Sequence, residues 1–386
     1  MSGIWPCTNP EYTFFQIDWR NFVLLTIISI AAVLGGLIFF HELGHFAVAR
    51  AFGMGATTFS LGFGPKLLKK TWGKTEYCLS LIPLGGYVAL VGETNENEIP
   101  EGFTEKECFS LRPAWQRLLV VLAGPMANIV MALILSWALA VGWGIPVMLP
   151  EIGGILPETA ASDAGLQVGD RIHSINGATI ASWDELTQTV SNCNGSPLVL
   201  EIVRSDGVRG PNALTTVTVT VTPRKGTRTT IFGDTETAWM LGVRPSQRSV
   251  TQPVPFAEGF AAGAVQAWHM VSLTWQSFLK LAQGAVPMDQ VGGPIAIGDM
   301  VSKAAHMGLD HLLFLTALIS VNLGVLNLLP VPVLDGGTIV FCTLEIIFRR
   351  PLNQKFQEYA MRTGMVLLVG LMILATFNDI WRLIKS

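Results

Sequence analysis

Directly after the uncharged run Asn21 to Phe40, the chain carries His41-Glu42-Leu43-Gly44-His45. Those 20 residues form a helix of about 30 Å, long enough to cross the hydrocarbon core of a bilayer. The sequence therefore predicts a membrane span over residues 21 to 43 with three ionisable side chains at its end. The plain reading is a polar helix end that snorkels to the surface. However, the chain continues apolar and helical through Phe46, Ala47, Val48 and Ala49, and ionisable groups at membrane depth are costly enough to signal function. Two histidines four positions apart share one helix face and can bind one metal ion, while Glu42 on the same turn can activate water. Zinc suits this set because it accepts imidazole and carboxylate ligands and polarises a carbonyl.

Two histidines leave a metal site incomplete. Ala51 to Trp72 contains no Asp or Glu, which disfavours a third ligand shortly downstream. A remote candidate is Asp335 in Asn327-Leu-Leu-Pro330-Val-Pro332-Val-Leu-Asp335-Gly336-Gly337, at the end of the uncharged run Leu312 to Leu334. Pro330 and Pro332 remove backbone donors and predict a broken helix, so Asp335 is expected on irregular backbone, which a membrane tolerates only inside protein or beside water. Asp-Gly-Gly is also ordinary turn chemistry, and only its pairing with the histidines favours the ligand reading.

The two motifs together resemble the site-2 protease family of intramembrane zinc metalloproteases, in its bacterial sigma-factor-regulating branch. The resemblance implies Zn2+ held by His41, His45 and Asp335, Glu42 as catalytic acid/base, and Asn327 positioning substrate. It extends from Asn21 to about Trp381.

Composition agrees with a membrane protein: half of the residues are hydrophobic, 14% are charged and the mean hydropathy is +0.47. A net charge of −3 argues against nucleic acid as a partner. Cys7, Cys78, Cys108, Cys193 and Cys342 have no CxxC spacing and suggest neither a disulfide framework nor a cysteine metal site. The expected fold is polytopic α-helical, with about four spans near residues 21–43, 118–146, 312–334 and 363–381. Residues 1–20 lack a basic start, contain Pro6 and Pro10, and read as an extracytoplasmic segment rather than a signal peptide. Lys66, Lys69, Lys70 and Lys74 follow the first span, and Arg349, Arg350, Lys355 and Arg362 the third, so both loops are expected in the cytoplasm, with the metal site near that face. Arg382 and Lys385 run against this orientation.

The first membrane part covers residues 21–149. Within it, residues 58–92 are short extended runs cut by Gly and Pro, predicting a membrane-associated β-hairpin or small sheet. The resemblance implies that Gly85, Gly86 and Tyr87 belong to an edge strand offered to an unwound substrate, which would expose its scissile carbonyl. Gly124 and Ala127 in the second span predict close helix packing, which the family resemblance implies is against the metal-bearing helix, and Asn128 is in need of a polar partner.

Residues 150–245 resemble one PDZ domain of the circularly permuted bacterial kind, carried by Gly153-Gly154, Gly165-Leu166, Gly169-Asp170 and Asn176-Gly177. Its helix is expected to start at Ser182, with strands over Leu198 to Val203 and Thr215 to Val221; capture of peptide ends and exclusion by size are both open. Residues 246–311 form a linker with amphipathic helical spacing over 256–283, suited either to the membrane interface or to packing on the PDZ domain. Gly292-Gly293-Pro294-Ile295 receives no chemistry, nor do His173, His269, His306 and His311. Residues 312–386 form the second membrane part.

The resemblance implies a multi-pass enzyme of the bacterial inner membrane, in contact with membrane lipids, with an extracytoplasmic PDZ domain. Its substrates would be single-span membrane proteins, such as anti-sigma factors and remnant signal peptides, shortened first by an upstream site-1-type protease. The alternative is a non-catalytic PDZ scaffold with a structural metal site, against which Glu42 argues because such a site needs no general base. A metal transporter is weaker, since four spans offer no pathway of polar residues.

Overall fold

The computed structural model describes residues 19–93, 99–205, 214–229, 235–284 and 292–385. The expected N-terminal segment, up to residue 18, and Cys7 lie outside the described residues. In chain order come helix α1 (Trp19–Ala51), strands β1 (Ala56–Trp72) and β2 (Thr75–Leu90), and helix α2 (Ala114–Trp143). A strand-rich stretch follows, with β3 (Ile145–Met148), β4 (Ile152–Ile155), α3 (Ala160–Asp163), β5 (Arg171–Ile175), β6 (Ala178–Thr179) and α4 (Trp183–Ser191). It continues through β7 (Leu198–Ser205), β8 (Leu214–Val221), β9 (Arg224–Thr229), β10 (Thr235–Met240), β11 (Val243–Pro245) and β12 (Ser249–Gln252). Helices α5 (Phe256–Ala282), α6 (Pro294–Met307), α7 (Leu309–Asn327), α8 (Asp335–Phe348) and α9 (Gln354–Lys385) complete the chain.

Among the described residues, four helices are long and apolar enough to cross a membrane: Phe22–Ala51, Ala114–Trp143, Leu309–Asn327 and Lys355–Lys385. The chain is a multi-pass membrane protein. Three expected span ends are corrected. The first helix runs past residue 43 to Ala51, so His41 to His45 lie within it. The second stops at Trp143, where Gly144 takes φ +80° and starts the turn into β3. The third ends at Asn327 instead of residue 334, because Pro330 and Pro332 cannot return helical hydrogen bonds; residues 328–334 form a non-helical loop in which Val333 has φ +93°.

The structure divides into two compact units, the first comprising residues 1–128, 292–316 and 326–386. Its core joins Ala49, Met54, Ala56, Leu90, Phe109, Val120 and Val121, tying the end of α1 to the start of α2 and to the two strands. β1 and β2 are long and bent, so together they make a sheet of four short strands. Residues 58–61 pair with 76–79 on one side and with 86–89 on the other, while 66–72 pair with 75–80. The spatial order is 66–72, 75–80, 56–61, 86–90, with segments 66–72 and 86–90 as the two edges. Helix α6 packs on α1 through the Thr26 and Ser302 hydroxyls, 2.9 Å apart, and the stacked rings of Phe22 and His306. The expected Gly292–Ile295 loop leads into α6, where the Asp379 carboxylate of α9 accepts from the N–H groups of Gly293, Ile295 and Ala296 at 2.9–3.1 Å. That carboxylate answers the orphan donors of a helix start.

The second unit comprises residues 129–291 and 317–325. Strands in the order β6-β5-β7-β8 form a sheet, and β4 pairs separately with β11. Ile152, Ala161, Ile172, Ile175, Leu186, Leu200, Ile202, Val221 and Leu241 fill one core, in keeping with the alternation of β7 (Leu198, Leu200 and Ile202 inward). Ser182 caps α4 by accepting from Glu185 N–H at 3.2 Å. A second core joins Met270 of α5 to Ala132, Ala317, Val321 and Val325, and Thr274 donates to Asn322 Oδ1 at 2.7 Å. The packed face of 256–283 thus meets helices α2 and α7 rather than the expected PDZ-like part, with the Phe256 ring 4.5 Å from that of Trp137 of α2, while Trp268 and Trp275 on the opposite face remain exposed, as the interface expectation has it.

Candidate metal centre

α1 places His41 and His45 one turn apart with ring centroids 4.8 Å from each other. Asp335 comes to them from the first turn of α8, where the helix dipole favours a carboxylate. That approach depends on the glycines that follow it. A Cβ on Gly336 would lie 1.9 Å from Leu329 O, so only glycine lets the 328–334 loop fold back on the start of α8.

His41 Nε2 lies 3.2 Å from His45 Nε2 and 3.1 Å from Asp335 Oδ2, and His45 Nε2 lies 3.5 Å from Asp335 Oδ2. In a tetrahedral sphere with bonds of about 2.0–2.1 Å, ligand-to-ligand edges are about 3.3 Å, so these separations fit one small metal ion. His45 Nδ1 donates to Val120 O at 2.9 Å, leaving its Nε2 with a lone pair turned towards Asp335. The buried Asn128 side-chain amide lies against His41 Nδ1, its nitrogen 3.1 Å away; with the amide turned so that its oxygen takes that place, it accepts from Nδ1–H and leaves Nε2 for a metal. Asp335 Oδ2 is buried and accepts no hydrogen bond. Three lone-pair-bearing atoms so close to one another are mutually unfavourable unless a proton or a metal ion lies among them, and the near-tetrahedral spacing suits the metal. Among the described residues this is the single such cluster of His, Cys, Asp and Glu groups. Cys78, Cys108, Cys193 and Cys342 are free thiols.

Glu42, next on α1, faces the sheet. Its Oε2 accepts from Val88 N–H of β2 at 3.1 Å, while Leu90 N–H goes to Glu93 Oε2 at 3.2 Å. These carboxylates, rather than a further strand, take the donors of the 86–90 edge. Gly85, Gly86 and Tyr87 lie just before Val88 on the same strand, and the Tyr87 ring stacks on Phe63 at 6.3 Å. The contact with Glu42 comes from Val88, which side-chain chemistry could not have flagged because a backbone N–H provides it. Asn327, the last residue of α7, has its amide 3.5 Å from His41 Nε2.

α2 supports the cluster from behind. Pro125 has no N–H and Gly124 no side chain, so here α2 presents bare backbone to His45. A Cβ on Gly124 would fall 2.2 Å from His45 Nε2, and one on Gly44 2.4 Å from Ala123 O. The close packing expected of Gly124 and Ala127 is observed. Arg117 of α2 and the buried Glu345 of α8 form an ion pair that sequence reading missed, and it fastens the Asp335-bearing helix to the one that holds His45. Gly124→Ala is expected to push the His45 ring from its place and lower metal occupancy and turnover by at least ~10-fold, since ångström-scale misplacement costs about that or more. Metal per folded chain, measured by elemental analysis, checks it; full occupancy would show that the ring has room to move.

The chain matches the family model described as Peptidase family M50 over residues 29–371. It is 38% identical over 366 residues to a Campylobacter jejuni protein named as a zinc metalloprotease, covering 94% of this chain and 95% of that one. It is 34% identical over 371 residues to a similarly named Brucella suis protein, covering 92% and 95%. With the zinc metalloprotease RasP of Geobacillus kaustophilus it shares 30% identity over 431 aligned positions, covering 92% and 98%.

Proposed function

The chain belongs to peptidase family M50, and from that premise we propose an intramembrane zinc endopeptidase that cuts within or beside the transmembrane segment of single-span membrane proteins. One observation carries the reading: His41, His45 and Asp335 converge beside Glu42, whose carboxylate is held by the free edge of a sheet. His41, His45 and Asp335 are the proposed zinc ligands. Zinc in that position supplies Lewis acidity, polarising the scissile carbonyl and lowering the pKa of water.

Glu42 is the proposed general base and acid, taking a proton from the attacking water and returning it to the departing amine. Val88 N–H fixes Oε2, which leaves Oε1 for the proton. A helical peptide bond is shielded by its own hydrogen bonds, so the substrate must unwind. With the Val88 and Leu90 donors taken by carboxylates, the freed segment can add as a strand at Gly85, Gly86 and Tyr87, just before them on the same edge. Asn327, 3.5 Å from His41 Nε2, is suited to hold the substrate carbonyl by its amide.

Residues 150–245 are proposed to act as a PDZ-like substrate filter. A cavity of about 220 Å³ lies between α4 and β11, lined by Trp183, Leu186, Val190, Leu241 and Val243, where an extended peptide end could pair with β11. The lysines of the hairpin and Arg349–Arg350 support a bacterial inner-membrane orientation with the metal site towards the cytoplasm. Anti-sigma factors and remnant signal peptides, shortened by an upstream protease, are the proposed substrate classes.

Metal removal tests the reading. Full-length enzyme stripped by a zinc chelator is expected to cleave a single-span substrate at least ~100-fold more slowly and to recover with stoichiometric zinc. Unchanged cleavage by metal-free enzyme would overturn it.

A further inference from the structure

The outer edge of the hairpin, opposite the edge beside Glu42, has a chemistry of its own. Segment 66–72 pairs on one side alone, with 75–80. Leu68, Lys70 and Trp72 share one face with their cross-strand neighbours Leu79, Tyr77 and Thr75, and two clefts open there. One, of about 380 Å³, is lined by Lys70, Thr71, Trp72 and Tyr77. The other, of about 300 Å³, is lined by Phe39, Phe59 and Leu61 together with Leu68, Lys69, Lys70, Tyr77 and Leu79. Trp72 is 80% exposed, Leu68 67% and Leu67 58%.

Lysines on an edge strand usually discourage pairing with another sheet in water. Large apolar groups left bare beside them do not fit that purpose; Trp and Tyr next to Lys are the composition of a membrane interface. The charges are also unevenly matched. Lys66 is paired with Glu76 and Lys74 with Glu107, whereas Lys69, which feels Glu76 only at longer range, and Lys70 form no ion pair of their own among the described residues. The adjacent residues Lys69 and Lys70 leave the strand on opposite faces and straddle its free edge.

We propose that this edge binds the headgroup of an anionic phospholipid. Lys69 and Lys70 contact the phosphate, Trp72 and Tyr77 sit at headgroup level, and Leu67 and Leu68 reach towards the acyl chains. The same sheet ends in the strand that holds Glu42, so a lipid on its outer edge fixes the depth of both edges. Binding at this edge requires none of the peptidase chemistry, so the two can fail separately.

Native mass spectrometry of the full-length protein, with phosphatidylglycerol or phosphatidylcholine added to detergent, measures the retained lipid. The wild type is expected to retain phosphatidylglycerol about 10-fold better, Lys69→Gln/Lys70→Gln to lose that preference, and Lys69→Arg/Lys70→Arg to keep it. Because these side chains are exposed, the variants should fold, and unchanged metal content verifies it. Equal retention of both lipids, an undiminished preference in the glutamine variant, or full displacement by inorganic phosphate would overturn the proposal. So would a change in oligomeric state without loss of lipid, which would make the edge a contact between copies of the chain.

Discussion

Glu42→Gln is expected to lower cleavage of a single-span substrate by about 10²- to 10⁴-fold, the contribution of a positioned general base, while bound zinc stays at the wild-type level. The amide is nearly isosteric, so its oxygen can still accept from Val88 N–H at the 3.1 Å position and the edge strand should not move. Glutamine cannot carry the proton from water to the leaving amine. Loss of turnover with full metal occupancy would separate proton transfer from metal binding, which a scaffold with a structural metal would not do. Comparing single-turnover rates with zinc per chain makes the measurement. Full activity with zinc in place would remove Glu42 from the chemistry.

Much of this arrangement was legible because it rests on side chains with strong chemistry in unlikely places. HELGH interrupts an uncharged helix, and Asp335 follows a run with no charge, so each stands out against its surroundings. The need of Asn128 for a polar partner was readable for the same reason, and His41 at 3.1 Å supplies it. Backbone contributions left no such mark. Val88 N–H on Glu42 and Val120 O on His45 depend on register and on a helix with Gly124 and Pro125, not on what Val88 or Val120 is. The bent four-stranded sheet was only partly visible, since Gly and Pro predicted short extended runs but not that residues 58–61 pair on both sides. Helix ends slipped where hydropathy and backbone geometry part: residues 328–334 are apolar enough to continue a span, yet Pro330 and Pro332 forbid the helix. Arg117 and Glu345 sit in segments where single charges are common, and nothing local links residues so far apart in the chain.

Asp335→Ala is the companion experiment, with an effect of a different kind. If roughly 10–16 kcal/mol of binding is shared among four zinc ligands, each is worth about 3 kcal/mol, so losing one weakens affinity on the order of 10²-fold. Zinc per chain and turnover are therefore expected to fall together after dialysis at limiting free zinc, unlike in Glu42→Gln. The fold should tolerate the change, because alanine suits the first turn of α8, where Asp335 stands. Without metal the carboxylate, 3.1 and 3.5 Å from the two imidazoles, is their ion-pair partner, so the metal-free variant is expected to melt below the metal-free wild type, and the rise in melting temperature on adding zinc is expected to shrink. That zinc-dependent rise is the sharper check: if it were undiminished in the variant, Asp335 would support the loop before α8 rather than bind metal. Full zinc and full activity in Asp335→Ala would send the search for the third ligand elsewhere.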